Sequence, residues 1–135
     1  MGRSIRELVD RFYEIVNTGN GDFAEVFVDD FKLGIMRGFP YGGDHNSLAL
    51  TNKFFADFGA HFDGWAVDTD RFMEVDDNTI IVTGRYRSKA LSTGKPFEME
   101  TVHLWTARNG MLATYKHYCD TAIICDAMNH EVPQY

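Results

Sequence analysis

The sequence has little of what usually staples, anchors or stiffens a small protein. Of its 135 residues only two are cysteine and three proline. Cys119 and Cys125 match neither a metal-ligand nor a redox spacing, so free thiols in a cytoplasmic protein are expected. No apolar run is long enough to span a membrane. The opening Met1-Gly2-Arg3-Ser4-Ile5-Arg6 carries neither an apolar leader nor the Ser or Thr a myristoylation pattern needs at its sixth position. Positive charge is scarce as well: 13 Lys and Arg stand against 20 Asp and Glu, a formal net charge of −7. Binding to phosphate backbones needs a positive field, and neither a basic run nor a basic amphipathic helix is present. Nucleic acid and anionic membrane surfaces are therefore not expected partners.

What is present is apolar bulk. Hydrophobic residues make up 44% of the chain, with eleven Phe and six Tyr. That suits a broad core or an apolar pocket. The length fits one domain over residues 1–135, long enough to bury a core without staples. No linker, repeat or low-complexity tract interrupts it.

Ile5, Leu8, Val9, Phe12, Ile15 and Val16 recur at helical spacing and predict a helix over roughly 4–18. Ser4 with Glu7 forms a candidate capping box, and Gly19 is a stop. Asp22 is placed to cap a short second helix carrying Phe23, Val26 and Phe27. After an extended stretch, Phe31 to Met36, and a turn-rich loop, Arg37 to Asp44, a third helix is predicted from Ser47. There Phe54, Phe58 and Phe62 would share one face, with Phe55 beside them. Beyond Gly64 the period becomes two. Strands are predicted over Trp65–Val75, Thr79–Lys89, Phe97–Ala107 and Met111–Cys119, with turns at Asp76-Asp77-Asn78, Thr93-Gly94-Lys95-Pro96 and Arg108-Asn109-Gly110. A short closing helix could follow Ala122. Helices followed by an antiparallel meander argue an α+β fold with helices on one face of a curved sheet.

The last hairpin allows two registers. A two-residue Asn-Gly loop would set His103 opposite Lys116. A three-residue loop with Gly110 left-handed would set His103 opposite Tyr115 and Thr101 opposite His117. The second gathers Met99, Thr101, His103, Trp105, Ala113, Tyr115, His117 and Cys119 on one face, rich in aromatics and poor in charge. That face is assigned to the concave side, and Asp120 falls on the other.

Four segments carry a family resemblance: Phe72 to Tyr86, Thr93 to Glu98, Val102-His103-Leu104-Trp105, and Tyr118 to Ala122. Together they resemble SnoaL-like domains of the NTF2-like superfamily over roughly residues 5–128. The resemblance implies a cone in which three N-terminal helices pack on a curved, mostly antiparallel sheet around a small-molecule pocket. It also implies a homodimer formed through the outer sheet face, and work without metal or other cofactor. The superfamily spans ketosteroid isomerases, polyketide cyclases, scytalone dehydratases, epoxide hydrolases and members without known reaction, so fold alone does not settle activity. The isomerase pattern puts Phe12 at an oxyanion-hole tyrosine, Phe27 and Phe55 at two pocket tyrosines, and Ile35 or Met36 at the general base. Ketosteroid isomerase activity is therefore not expected. Where epoxide hydrolases carry Asp-Arg-Asp, this chain has Met99, Thr101 and His103. The acid/base Asp of the polyketide cyclases corresponds best to Asp120.

His103 and Asp120 are thus the candidate catalytic residues, moving a proton on a small apolar substrate of carbonyl type. Phe12, Phe55, Phe58, Met99, Thr101, Trp105, Tyr115, His117 and Cys119 are the candidate pocket residues. Each has a plainer alternative: His103 as a buried neutral histidine, Asp120 as a helix cap, Cys119 as core packing, the aromatics as filling. His103, His117 and Asp120 form a conceivable metal set but lack a metal spacing. On the catalytic reading, His103→Ala abolishes turnover and leaves the fold intact. The rival reading is a non-catalytic ligand-binding or dimeric interaction module.

Overall fold

Ser4 and Gly19 bracket the first helix as the sequence predicts. In the computed structural model, which describes residues 3–135, α1 runs Ile5–Thr18. The Ser4 hydroxyl accepts the Glu7 N–H while the Glu7 carboxylate accepts the Ser4 N–H, which satisfies donors the first turn leaves free. Gly19 ends the helix left-handed, at φ 73°. Met1 and Gly2, on which part of the leader and acylation reading falls, lie outside the described residues.

The second predicted helix is only a 3-10 turn, Phe23–Glu25, capped by Asp22 as expected. Val26 and Phe27 leave it because Phe27 already opens β1 (Phe27–Ile35), where Phe27, Phe31, Leu33 and Ile35 all face the core. Helix α2 (Leu48–Gly59) starts at its Ser47 cap and buries Phe54 and Phe58. Phe62 lies beyond its end and instead begins β3 (Phe62–Asp76). The three N-terminal helices expected are therefore α1, a 3-10 turn and α2. A further helix, α3 (Thr121–Ala127), closes the other end of the chain.

The remaining strands are β2 (Gly43–His45), β4 (Thr79–Ala90), β5 (Pro96–Arg108) and β6 (Met111–Cys119). They form one six-stranded sheet in the order β2-β1-β6-β5-β4-β3. The β1–β6 pair is parallel and the other pairs are antiparallel. This is the α+β architecture expected, a mixed, mostly antiparallel curved sheet with α1 and α2 packed across it. Beside a register shift in β3, β4 runs so close to its neighbour that a Cβ at Gly84 would collide with the Asp68 carbonyl. Glycine is needed there for close approach rather than for a turn.

Neither register weighed for the last hairpin is the one formed. Asn109 and Gly110, with φ of 53° and 76°, make a two-residue loop that pairs Arg108 with Met111, the conformation Asn-Gly favours. Ala107 pairs with Leu112, but Thr106 pairs with Thr114, so Ala113 is an extra residue and β6 is bulged. From there His103 faces His117, Trp105 faces Tyr115 and Thr101 faces Cys119. The bulge shifts the pairing by one residue, which restores the face assignment while changing every partner. Met99, Thr101, His103, Trp105, Ala113, Tyr115 and His117 are buried and Cys119 half-buried; Glu98, Glu100, Val102, Lys116, Tyr118 and Asp120 are exposed.

Candidate active site

The concave face of the sheet and the two long helices enclose a cavity of about 310 Å³. Its exposed lining residues, Gly19, Gly21 and Gly59, mark a mouth between the C-terminal ends of α1 and α2. Phe12, Phe39, Phe54, Phe55, Phe58 and Trp65 form most of its wall. The floor is different: Tyr86, His103, Tyr115 and His117 reach it from β4, β5 and β6. No lining residue carries a formal charge at neutral pH.

These floor groups belong to one hydrogen-bonded network. His103, 1% exposed, meets the Tyr13 hydroxyl at Nδ1 (2.7 Å) and the Tyr86 hydroxyl at Nε2 (2.6 Å). The Trp105 indole N–H donates to the Tyr13 oxygen at 3.0 Å. The Tyr86 oxygen also lies 3.0 Å from the Tyr115 hydroxyl and 2.9 Å from His117 Nδ1. His117 Nε2 accepts the backbone N–H of Met36 at 3.0 Å.

Burial sets the ionisation of every member. It holds His103 well below the usual histidine range, helped by nearby His117, and brings His117 down to about 3. It raises Tyr13, Tyr86 and Tyr115 above the usual phenol range. At neutral pH the network is therefore uncharged. It can donate and accept hydrogen bonds, but it offers no carboxylate or free imidazole to take a proton from a ligand.

Of the residues expected in the pocket, Phe12, Phe55, Phe58, Tyr115 and His117 line it, and so does His103. Met99, Thr101, Trp105 and Cys119 lie on the same face but outside the lining. Trp105 stands behind Phe12 and Tyr115, at ring-centroid distances of 4.7 and 4.6 Å. The Thr101 hydroxyl is buried without a hydrogen-bond partner. The Cys119 thiol is pushed up to about 12, by burial and then by the Asp120 charge, so it is not a thiolate at neutral pH.

Asp120 stands apart from the cavity. It is exposed, and its carboxylate accepts the Ala122 N–H as the cap of α3. No bend in β6 turns it inward, so the proton-moving role expected for it has no support in this geometry. With Asp120 outside and both imidazoles bonded within the protein, the conceivable His103–His117–Asp120 metal set does not assemble. Among the described residues, no group of three or more His, Cys, Asp or Glu is placed to hold a metal ion.

Two members of the network were not singled out in the sequence. Tyr13 follows Val9 by four positions on the buried side of α1, and Tyr86 alternates with Ile80 and Val82 on the inner face of β4. Those periodicities carried the signal. Phe12 lines the cavity where the isomerase pattern has a phenol, and the neighbouring Tyr13 delivers its hydroxyl to His103 from outside the lining.

A curved sheet closed by helices over an apolar cavity with a polar floor defines the NTF2-like class of α+β domains. Within that class the chain belongs to the SnoaL-like domain family, whose model matches residues 9–115. An NTF2-like protein from Burkholderia thailandensis superposes with a TM-score of 0.84 at 25% identity, over 93% of this chain and 98% of that one. TerC, crystallised with polyporic acid, superposes at 0.81 and 19% identity, over 91% and 96%. A protein assigned provisionally as a SnoaL-like polyketide cyclase, from a Jannaschia species, superposes at 0.76 and 17% identity, over 94% and 92%. No curated protein matches the chain in sequence.

Proposed function

We propose that this protein binds one small, mostly apolar molecule in the cone cavity and holds a carbonyl-type oxygen of that molecule against the phenol–imidazole floor. The observation that carries this reading is the cavity itself: about 310 Å³, walled by aromatic rings, with its polar side chains gathered at one end. A few convergent polar groups in an otherwise apolar pocket are the usual form of a small-molecule site. The co-crystallisation of TerC, a chain of the same fold, with the organic molecule polyporic acid supports the reading.

A second reading, cofactor-free isomerisation, cyclisation or dehydration, is favoured by the hydrogen-bonded floor. A neutral donor aimed at a carbonyl oxygen stabilises the negative charge that develops there when the neighbouring carbon loses a proton. In this scheme His103 supports the donor and the aromatic wall excludes water. Against it, the lining holds no carboxylate to act as base. The homodimer belongs to the same proposal, with Val102 and Tyr118 exposed on the outer sheet face as its contact.

Mass spectrometry of the purified protein under non-denaturing conditions tests the binding reading. A retained small organic molecule, released by denaturation and lost in a Phe55→Arg variant that charges the wall, is the expected result. Equal retention in that variant would move the site out of the cone.

A further inference from the structure

The hydrogen bonds of the floor can be followed proton by proton. Tyr13 has two polar neighbours, the Trp105 indole N–H and His103 Nδ1. Indole nitrogen donates only, so the Tyr13 proton has one acceptor, His103 Nδ1. Neutral His103 must then carry its own proton on Nε2, and gives it to the Tyr86 oxygen. From the other side, the Met36 N–H occupies the lone pair of His117 Nε2. Neutral His117 therefore carries its proton on Nδ1, and this too goes to the Tyr86 oxygen.

Tyr86 now accepts twice, which fills both lone pairs. Among groups within hydrogen-bond geometry, its own proton has one remaining neighbour, the Tyr115 oxygen at 3.0 Å; the nearby Thr101 hydroxyl makes no such bond. Tyr115 accepts it and keeps a proton with no partner among the described residues. The opposite arrangement, with His103 protonated on Nδ1, would strand the Tyr13 proton instead. Both tyrosines are buried, but Tyr115 lines the cavity and Tyr13 does not; a donor stranded where nothing entering the cavity can reach it is the costlier outcome.

The geometry points to Tyr115 as the ligand-facing donor of the site, supplying one hydrogen bond to an acceptor oxygen. Its direction is set from within the core by Trp105 and the Met36 N–H. This rests on the cavity being the binding site and adds a ligand class to it: molecules whose polar atom accepts, such as aryl ketones, are favoured over hydrocarbons of the same shape. An N–H donor would find only the second lone pair of the Tyr115 oxygen, because both Tyr86 lone pairs and both histidines are already committed. Tyr13, His103 and Tyr86 act through Tyr115 as positioning residues.

Calorimetric titration of the whole chain with acetonaphthone and ethylnaphthalene tests this. The ketone is expected to bind about tenfold more tightly than the hydrocarbon, the scale of one well-made hydrogen bond. In Tyr115→Phe the two affinities should converge while that for ethylnaphthalene holds, which also shows that the variant keeps its pocket. The infrared carbonyl stretch of bound acetonaphthone should lie lower in the native protein than in Tyr115→Phe. Equal binding of ketone and hydrocarbon, or an unchanged stretch, would overturn the donor assignment and leave the cavity reading standing. Failure of both probes to bind would overturn the cavity reading, and the assignment with it.

Discussion

His103 meets a phenol at each ring nitrogen, so its removal leaves the Tyr13 proton without an acceptor and one lone pair of Tyr86 unfilled, as well as opening a void. Each unsatisfied group costs roughly 1–3 kcal/mol. His103→Ala should therefore lower stability by about 2–5 kcal/mol in urea denaturation. The variant is thus expected to fold, as the sequence reading has it, but with a lower urea midpoint than the native chain. The histidines also make stability depend on pH. In the folded chain His117 titrates at about 3 against an ordinary 6.5, and His103 is shifted the same way. As pH falls below the ordinary value the unfolded chain takes up protons that the folded chain refuses. Stability should be full above about pH 6.5 and fall toward acid by roughly 1.4 kcal/mol per pH unit for each histidine. Urea midpoints at about pH 7.5 and about pH 5 would show it, with a shallower fall in His117→Asn.

Among the elements, β6 has most to say about what a sequence discloses. Alternation in β5 and β6 identified the inward set correctly, because a buried face leaves its period in the chain. It could not reveal the bulge at Ala113, since a two-residue loop plus one extra residue and a three-residue loop give the same parity. The cross-strand partners, and hence the meeting of His103 with His117, were beyond reach for that reason. The helices show a similar limit. The capping box of α1 was readable because it is local, whereas the end of the 3-10 turn depends on Phe27 joining a parallel partner far along the chain. Deleting Ala113 would remove the bulge and leave Trp105 opposite Tyr115 and His103 opposite His117, because Ala113 is the residue of β6 without a partner on β5. Such a variant should keep a cooperative unfolding transition by circular dichroism, because the polar network stays in the core.

At the scale of the molecule, the folded state alone possesses the cone. A ligand that fills it stabilises by mass action, about 2.7 kcal/mol at a hundredfold excess over Kd. Acetonaphthone should thus raise the melting temperature by several degrees in scanning calorimetry. Sedimentation should show a dimer that Val102→Glu with Tyr118→Glu dissociates, if the outer face is its contact. The Asp120 cap on α3 belongs to this scale too: family resemblance could assign it chemistry, but only the path of the chain after β6 shows that it faces away.

The aromatic wall carries a last consequence, in heat rather than in contacts. Six large rings give water little to bond to, so solvent inside the cone would be poor in hydrogen bonds before any guest arrives. Releasing such water gains enthalpy more than entropy, and uptake into a preformed pocket of this kind is exothermic near room temperature, with a negative change in heat capacity. Filling this cone should therefore give off heat, and more of it as the temperature rises.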